Sequence, residues 1–499
     1  MGVIQRQGIK QTLITFFGIA IGAVNVLFIY PRFLLAEQWG FIQIILSASK
    51  IFLPFIMMGS MYMIVRFFPE FKDEKNGHHG YLPFVLSWIF VGFSIFLGLF
   101  IFFQEEIFSL SSKEADKQMV AQYGFYLLPI LLFLAIGTTL TKYISNFQRI
   151  VVPAIFNDIF VKVGLPALCI LLGFDIINFE NLLQGIGWIY LIIVVALLIY
   201  TKNLGQLYLK PDFSKLTKEK LKPIFIYSGY GLLGGLGTTI IPFIDTIMVG
   251  ALIDFESSAI YTIPNFISNA IDAPRKALSS IAAPLIAESW KKNDLPHIKM
   301  LYQKTSLNQL IVGVLLFLLA WSCIDDIYNL IPAGPKKETY EAGKYVVLIL
   351  GLSKVLDMAT GVNSEIIGYS RYFRFNFYAI LILTVFAIIS NWLLIPIYGI
   401  EGAAMATFLS FGIFNLSKFL FLWFKLNLQP FSIKTIHVLL FGGLAYLAAS
   451  QIPDSGWIIP NIILKCLVIG IIFGGSMLYF RVSEDISAMV EKFWKEKIS

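Results

Sequence analysis

Apolar stretches long enough to cross a membrane recur along the whole chain, separated by short polar segments. A helix needs about 20 mostly apolar residues to span the roughly 30 Å hydrocarbon core of a bilayer. Fourteen stretches meet that length, and an even number places both termini on one side of the membrane. The predicted spans lie near residues 12–31, 40–65, 81–104, 120–141, 150–173, 181–201, 223–250, 257–285, 305–324, 344–367, 376–396, 402–424, 435–451 and 458–480.

The charges of the loops predict the orientation, because Lys and Arg collect on the cytoplasmic side of membrane proteins. With the N-terminus inside, the inner segments hold 25 of the 38 Lys and Arg residues, whereas the outer loops hold six. One missed helix would invert this split for every later segment. We therefore expect fourteen spans with the N- and C-termini both in the cytoplasm.

Composition places the chain in the all-α polytopic membrane class. Hydrophobic residues make up 57% of the sequence and charged residues 14%, with a mean hydropathy of +0.77, whereas about a quarter of the residues in soluble domains are charged. The three cysteines show neither a pairing pattern nor metal-ligand spacing, so no disulfide, metal or other cofactor is expected. The net charge of +7 is explained by the Lys and Arg residues that the topology requires in the cytoplasmic segments, so no nucleic-acid partner is expected.

Two pairs of distant segments resemble each other, which predicts a duplicated unit of six helices. Residues 28–72 match 243–290 at an offset of about 215 to 218, and 143–149 match 365–371 at an offset of 222. A unit with an even number of spans keeps its orientation when repeated. The copies would then form two pseudo-symmetric lobes related by an axis along the membrane normal.

The predicted organisation has five parts. The linker carries six lysines suited to the anionic inner leaflet, and the tail places apolar residues at helical spacing. The parts are an N-lobe of helices 1–6 (1–201), a basic cytoplasmic linker (202–222), a C-lobe of helices 7–12 (223–424), helices 13 and 14 (425–481) and an amphipathic cytoplasmic tail (482–499).

The seventh predicted helix is unusually rich in residues that weaken or bend helices. Glycine costs roughly 1 kcal/mol relative to alanine, and proline removes a backbone hydrogen bond. One interpretation is close packing of neighbouring helices through small residues. The other, favoured by the position of the helix at the start of the second lobe, is a bend that acts as a moving gate or hinge. The residues concerned are Gly231, Gly234, Gly235, Gly237 and Pro242.

The predicted spans contain seven cations and five carboxylates. Each costs roughly 2.5 to 3.5 kcal/mol at the bilayer centre unless it faces water or a partner. So many charges predict a polar interior. They are Lys50, Lys162, Arg275, Lys276, Lys354, Lys418 and Lys465, with Asp158, Asp245, Asp272, Asp357 and Glu365.

A purely structural interpretation accounts for several of these charges. Three pairs have the spacing that lets them neutralise each other on one helix face, and two lysines near membrane boundaries can extend towards water. Lys50, near mid-membrane, has no acid three or four residues away. The pairs are Asp158 with Lys162, Asp272 with Arg275 and Lys354 with Asp357, and the two boundary lysines are Lys418 and Lys465.

Several motifs resemble one transporter family. FIDTIMVGAL (243–252), LIPIYGIEGAAMAT (394–407), PRFLLAEQWGFIQ (31–43) and MMGSMYMIVRFFPEF (57–71) are similar to segments of the Wzx-type polysaccharide-export flippases. That family belongs to the multidrug/oligosaccharidyl-lipid/polysaccharide (MOP) superfamily, with the MATE exporters and the lipid II flippase. The resemblance implies a MATE-like fold with two six-helix lobes around a central cavity and two further helices.

The same resemblance implies a function. Similar proteins move a polyprenyl-diphosphate-linked oligosaccharide to the outer leaflet of the bacterial cytoplasmic membrane by alternating access, for surface polysaccharides such as lipopolysaccharide O-antigen. The expected partners are this lipid-linked substrate, membrane lipids and other polysaccharide-assembly proteins. Lys50 and Arg275 are the first candidates to bind the diphosphate, because lysine offers a point charge and arginine a bidentate contact.

Further residues extend the candidate site. Lys276, Lys354 and Lys162 follow as cavity cations. A proton or sodium gradient would need an acidic coupling group, and three carboxylates within the spans qualify. They are Asp245, Asp357 and Glu365.

Two alternatives remain open. A MATE-like cation/drug antiporter would have twelve helices and an acid in the first lobe, but helix 1 carries Asn25 and no acid. An integral-membrane glycosyl polymerase or ligase would need a large outer loop with catalytic side chains, but the outer loops near 105–119 and 325–343 are short and contain no histidine. No phosphate-binding Gly-x-x-x-x-Gly-Lys-Ser/Thr loop is present, so ATP hydrolysis is not expected. Together with the short outer loops, this predicts that the protein is not an enzyme.

Overall fold

A computed structural model describes residues 3–109, 111–212, 217–332, 337–453, 456–488 and 490–491, with side-chain surroundings from residue 14 onward except at 108, 218, 234, 238, 337 and 338. The described chain is helical and contains no strand, which confirms the all-α prediction. It divides into two compact units, Met1–Ala259 and Ile260–Ser499.

The helices of the first unit begin with α1. Two π-helical segments interrupt the series, at Asn25–Ile29 and Ile155–Phe160. The helices are α1 Val3–Val24, α2 Tyr30–Phe33, α3 Ala36–Met57, α4 Ser60–Phe71, α5 Tyr81–Phe102, α6 Gln104–Ser109, α7 Glu114–Tyr123, α8 Leu127–Ser145, α9 Val151–Ala154, α10 Val161–Gly173, α11 Phe179–Asn203 and α12 Lys218–Leu252.

The remaining helices begin with α13, whose first turn belongs to the first unit. One π-helical segment, Gly470–Gly474, separates the last two helices. The helices are α13 Phe255–Lys291, α14 Leu295–Ser322, α15 Ile324–Leu330, α16 Lys337–Glu341, α17 Lys344–Ala359, α18 Asn363–Tyr369, α19 Phe373–Leu426, α20 Ile433–Ser450, α21 Ile458–Ile469 and α22 Gly475–Tyr479.

The boundary between the compact units does not coincide with the basic linker. Helix α12, which the repeat assigns to the second lobe, packs mainly on α3 of the first unit. The close approach depends on glycine, since a Cβ on Gly40 of α3 would overlap the carbonyl oxygen of Phe255 just beyond α12. Within the predicted linker, residues 213–216 lie outside the described part of the chain. The lobe boundaries stay a prediction.

Ten helices of the described chain are long and apolar enough to cross a membrane, or up to twelve if each of two bent pairs is one span. The protein is thus a multi-span membrane protein. Helix α13, with its charged residues, is absent from this count, and α19 enters it once although it holds two predicted spans. The number fourteen therefore stays a prediction.

Helix α19 is a hairpin of two antiparallel helices. At 54 residues it would be roughly 80 Å long if straight, far more than a bilayer. Gly399 breaks it with φ 60° and ψ −139°, a conformation that glycine adopts at little cost. Ser390 and Ser410 then face each other, with their hydroxyl oxygens 3.5 Å apart.

The core of the second unit packs α14 against α17, α20 and the last helices. Ile271, Phe317, Met358 and Phe473 are among its buried apolar side chains. The described start of the predicted tail lies on α14, where the hydroxyl of Ser483 donates a 2.6 Å hydrogen bond to Asn308 Oδ1. Residues 489 and 492–499 of that tail lie outside the described part.

Candidate functional site

Lys50 presents a charge inside a predicted membrane span of the first unit. It lies in α3, its side chain is exposed, and its Nζ is 4.7 Å from the centroid of the Phe243 ring of α12. Within the described residues it has no hydrogen bond or ion pair. An aromatic face stabilises a cation by about 0.5 to 2 kcal/mol and leaves the ammonium hydrogens available.

Lys162 adds a second positive charge to the same unit. Its Nζ lies beside Gly18 of α1. A Cβ atom added to that glycine would be 3.1 Å from this Nζ. Lys162 and Lys50 are close enough to repel each other electrostatically. Asp158 attracts Lys162 electrostatically, but no ion pair within 4.0 Å joins them in the described structure. The predicted i,i+4 ion pair is therefore absent. The two ammonium groups are only partly neutralised.

The two π-helical segments of this unit meet beside Lys162. The amide of Asn25, which begins the first segment, donates a 2.6 Å hydrogen bond to the carbonyl of Lys162, which follows the second. Isolated π-helical turns within α-helices are frequent at functional sites, and they free carbonyl groups for such bonds. Asn25 thus fixes the backbone that carries one of the cations.

Arg275 is the centre of an ionic cluster in the second unit. It makes a two-pronged contact with Asp272, from Nε to Oδ1 at 2.5 Å and from Nη2 to Oδ2 at 3.1 Å. Its Nε also lies 3.2 Å from Oδ2 of Asp357 on α17. The predicted pairing of Asp272 with Arg275 is therefore present, and Arg275 additionally joins α13 to α17.

Asn415 extends this cluster into α19. Its side-chain amide donates to Asp357 Oδ1 at 2.9 Å, while its oxygen accepts from Thr360 at 3.0 Å and from Asn363 at 3.1 Å. Buried polar groups are costly unless they are hydrogen-bonded, and this arrangement satisfies both ends of the Asn415 side chain.

Lys418 lies inside the second unit and does not extend towards water as predicted. It is 1% exposed, donates to the Ser364 hydroxyl at 2.5 Å and has its Nζ 3.5 Å from the centroid of the Phe414 ring. The prediction that Lys418 extends towards water rested only on its distance to the membrane boundary. It is wrong because the side chain points inward, where these partners replace water.

Lys354 and Lys276 are less neutralised than Arg275. The expected i,i+3 pair of Lys354 with Asp357 does not form, because Asp357 is occupied by Arg275 and Asn415. Lys354 instead has its Nζ 5.1 Å from the centroid of the Phe411 ring. The side chain of Lys276 is 66% exposed and its Nζ is 3.5 Å from Asp272 Oδ2.

Glu365 lies half-buried near the same cluster. It interacts electrostatically with Arg275 and Lys418, but its carboxylate has no hydrogen bond or ion pair among the described residues. With Arg275, Lys276, Lys354 and Lys418 against Asp272, Asp357 and Glu365, the cluster has one excess positive charge. Both units thus present cations within their membrane helices.

The glycine-rich helix α12 is bent by 48° between Gly237 and Thr239. Pro242 explains the position of the bend, since it cannot donate to the carbonyl four residues earlier and its ring crowds that carbonyl. Gly231 and Gly235 receive the ring of Tyr62 from α4, which a Cβ at either position would displace. The surroundings of Gly234 lie outside the described residues. Bend and packing therefore both occur, and movement of a gate stays a prediction.

Two other charges of the spans have partners within their units. Asp245 of α12 is buried in the first unit at 8% exposure. Lys465 pairs with Asp326 of α15, with Nζ 2.6 Å from Oδ2. The prediction that Lys465 extends towards water is wrong, because its partner is 139 residues earlier in the chain and no local spacing reveals it.

The site residues that sequence reasoning missed are uncharged. They extend the ionic cluster. The sequence could have pointed to them only because each is a polar residue within or beside an apolar run. No group of three or more His, Cys, Asp or Glu residues in the described chain could hold a metal ion. The missed residues are Thr360, Asn363, Ser364 and Asn415.

Comparisons with known proteins agree with this architecture. Residues 7–290 match the model of a family described as polysaccharide biosynthesis protein. An uncharacterized membrane protein of Methanocaldococcus jannaschii is 23% identical over an alignment that covers 94% of this chain and 93% of that protein.

Solved structures share the fold. A lipid II flippase, MurJ, in an inward closed conformation has a TM-score of 0.73 at 16% identity, covering 95% of this chain and 99% of its own. An inward-facing multidrug resistance MATE family transporter of the MOP superfamily has a TM-score of 0.59 at 12% identity, covering 84% and 94%. The Vibrio cholerae MATE transporter VcmN has a TM-score of 0.54 at 13% identity, covering 84% and 97%.

These findings confirm the resemblance seen in the sequence motifs and the predicted MATE-like fold. Because the family match covers more than half of its length, this chain belongs to the polysaccharide biosynthesis protein family of membrane proteins.

Proposed function

We propose that this protein is a flippase that moves a polyprenyl-diphosphate-linked oligosaccharide from the inner to the outer leaflet of the bacterial cytoplasmic membrane by alternating access, for surface polysaccharide biosynthesis. The observation that carries the proposal is Lys50. It is a cation in a membrane helix, exposed, and without a hydrogen bond or ion pair in the described chain. A charge that costs several kcal/mol in lipid needs an anionic ligand or water beside it.

The chemistry of such a cargo fits the cations of both units. A diphosphate cannot cross hydrocarbon without compensation of its charge, whereas a polyprenyl tail can remain in the lipid. In the first unit Lys50 and Lys162 supply two point charges with one weakly engaged acid nearby. Lysine binds phosphate as a point charge and tolerates rearrangement of the headgroup during passage.

In the second unit Lys276 and Lys354 suit phosphate binding better than Arg275. The Nε and Nη2 donors of Arg275 are used by Asp272 and Asp357. We therefore assign Arg275 the role of holding α13 and α17 together, with its remaining donors available to the cargo. The two lysines, which are less neutralised, take the role of binding the headgroup.

Glu365 is our candidate for coupling to a proton or sodium gradient. Asp357 is occupied by Arg275 and Asn415, and Asp245 is buried in the first unit. The Glu365 carboxylate is half-buried, without a hydrogen bond in the described structure, and lies within electrostatic reach of Arg275 and Lys418. Binding of a cation there would change the charge of the whole cluster.

The proposal includes the orientation predicted from the loops, with both termini in the cytoplasm and basic segments on the inner leaflet. Other polysaccharide-assembly proteins would supply the cargo and use it after transport. A MATE-like antiporter of cationic drugs is disfavoured by Lys50 and Lys162, which would repel such a substrate. A glycosyl polymerase or ligase lacks support, since the cations lie within the helices and not in an outer loop.

Reconstituted vesicles test the function directly. A fluorescent polyprenyl-diphosphate oligosaccharide in the inner leaflet should become accessible to an external quencher in vesicles with the protein, and not in protein-free vesicles. Transport of a cationic dye without transport of the lipid would favour the antiporter and contradict the flippase. The lipid-linked glycan that accumulates when the protein is removed from cells would identify the cargo.

A further inference from the structure

A cavity of about 650 Å³ opens at one end of the second unit, away from the ionic cluster. It lies where the end of α13, the start of α14 and the ends of α18 and α19 meet. All of these segments belong to predicted cytoplasmic loops. Its lining consists of Ala287, Trp290, Lys291, Asn293, Leu295, Tyr369, Ser370, Arg371 and Leu426.

Two cations without an ion pair in the described structure line this cavity. Lys291 and Arg371 are both exposed, and neither forms an ion pair with a described residue. The nearby carboxylate of Glu288 is occupied by Lys292, at 2.6 Å. Glu288 acts on Lys291 only electrostatically, so the cavity presents two cations that form no ion pair with an acid of the described chain.

Arg371 is held in position by an aromatic neighbour. Its Nη2 donates a 2.7 Å hydrogen bond to the Tyr372 hydroxyl, and the centre of its guanidinium lies 4.8 Å from the centroid of that ring. A guanidinium has five N–H donors, so this contact orients the group and leaves donors for an anion. The side chain is pre-organised to bind an oxygen-rich anion.

Aromatic side chains form the walls of the cavity. The indole N–H of Trp290 donates a 3.0 Å hydrogen bond to the carbonyl of Ile366, which fixes the ring between α13 and α18. Tyr369 is 51% exposed. Trp and Tyr are enriched at the level of lipid headgroups, where the ring contacts apolar chains and the polar atom contacts water.

In the corresponding region of the first unit, the segment that follows α11 covers the surface. The repeat aligns Tyr369 and Arg371 with Phe147 and Arg149. In the first unit the segment after α11 folds back, so that Gln206 contacts His78 at 2.7 Å, and the Tyr208 ring packs 5.0 Å from the His78 ring. Phe147 joins this cluster, with its ring 6.0 Å from that of His78.

We propose that the cavity of the second unit binds the phosphate of an anionic phospholipid headgroup from the inner leaflet. Basic pockets between membrane helices on the cytoplasmic side bind anionic headgroups, and this one combines two free cations with an interfacial aromatic wall. The proposal rests on the orientation included in the proposed function, but not on transport. Its ligand is a lipid of the surrounding membrane rather than the cargo.

Lipid binding to the purified full-length protein tests the proposal. Native mass spectrometry or fluorescence titration would compare phosphatidylglycerol, phosphatidylcholine and inorganic phosphate. The Lys291→Gln and Arg371→Gln double variant should weaken phosphatidylglycerol binding about tenfold, since each charge-assisted hydrogen bond contributes more than a neutral one. The Lys299→Gln and Arg374→Gln double variant, which removes two charges outside the lining, should bind like the wild type.

Three results would overturn the proposal. They are equal weakening in both double variants, no preference for phosphatidylglycerol over phosphatidylcholine, and equally tight binding of inorganic phosphate. The Lys291→Arg variant keeps both charges and the contact of Arg371 with Tyr372, and it should retain the lipid, which separates loss of charge from loss of structure. A protein that binds the lipid but moves no cargo would contradict the proposed function alone.

Discussion

The guanidinium Nε of Arg275 lies 3.2 Å from Oδ2 of Asp357, so one side chain of α13 holds a carboxylate of α17 as well as its own neighbour Asp272. The side chain of Asp272 is 3% exposed and that of Asp357 is 13% exposed. We therefore expect Arg275 to act mainly on the stability of the second unit, whereas the proposed role of the exposed lysines is in transport.

Arg275→Ala should destabilise the protein by about 3 to 5 kcal/mol, because it removes the arginine from the buried carboxylate of Asp272 and the partly buried carboxylate of Asp357. Thermal unfolding in detergent measures the loss. Lys276→Ala is the matched control, since Lys276 contacts the same Asp272 from an exposed position and should cost less than about 1 kcal/mol. Equal losses in the two variants would contradict a structural role for Arg275.

Lys50→Ala should reduce translocation of the lipid-linked headgroup and leave the unfolding temperature nearly unchanged. The reason is that Lys50 contacts the Phe243 ring but has no ion pair in the described structure whose loss would expose a buried charge. Lys50→Arg should retain much of the activity because it keeps the charge. Full transport by Lys50→Ala in the vesicle assay would remove Lys50 from the site.

Gly40→Ala should destabilise the first unit by about 1 to 3 kcal/mol, since the added methyl group overlaps the carbonyl oxygen of Phe255 and must push α12 and α13 away from α3. Gly187→Ala in α11 is the control. A Cβ there meets nothing within 4 Å, so the helix should gain up to about 1 kcal/mol. Opposite shifts in unfolding temperature are the expected result, and equal shifts would show that α3 and the start of α13 do not pack this closely.

The turn between α12 and α13 should lose stability in acid. Burial alone would raise the pKa of Asp254, but hydrogen bonds from Lys113 and Ser257 outweigh it and hold the pKa below its usual 3.8. A carboxyl whose pKa is lowered by folding stabilises the protein above its unfolded pKa, and this contribution disappears as the pH falls through the folded value. The wild type should therefore lose stability below about pH 4.

Lys113→Ala provides the test of this pH dependence. The Lys113 Nζ lies 2.6 Å from Asp254 Oδ2, and its removal takes away one of the two contacts that lower the pKa of Asp254. The acid transition should then move to higher pH, as measured by unfolding temperature against pH. Asp254→Asn should remove this part of the dependence, and an unchanged profile in both variants would contradict the assignment.

Local patterns predicted the helices and one ionic contact well. Apolar runs of about 20 residues correspond to the helices because every backbone group in lipid must be satisfied within its own segment. Asp272 and Arg275 pair as their i,i+3 spacing predicts. The bend of α12 also follows from one residue, Pro242, whose effect on the helix is local.

Contacts between distant segments escaped prediction. Lys465 finds Asp326 across 139 positions, and Asp357 is held by Arg275 from another helix, so neither could be read from spacing. Lys418 points into the unit, where it contacts Ser364 and the Phe414 ring, and a distance to the membrane boundary does not reveal such contacts. The site in the second unit depends on such packing. The sequence predicted its charged residues and the Asp272–Arg275 pair, but not their other partners.

The break at Gly399 has a consequence for insertion of the chain into the membrane. The two arms of α19 carry polar side chains in their membrane helices, including Ser390 and Asn391 in one and Asn415 in the other. A single arm entering lipid would expose these groups, whereas a preformed hairpin covers part of them between its arms. We expect the two arms to enter the bilayer together, so that Gly399 shapes biogenesis as well as the finished fold.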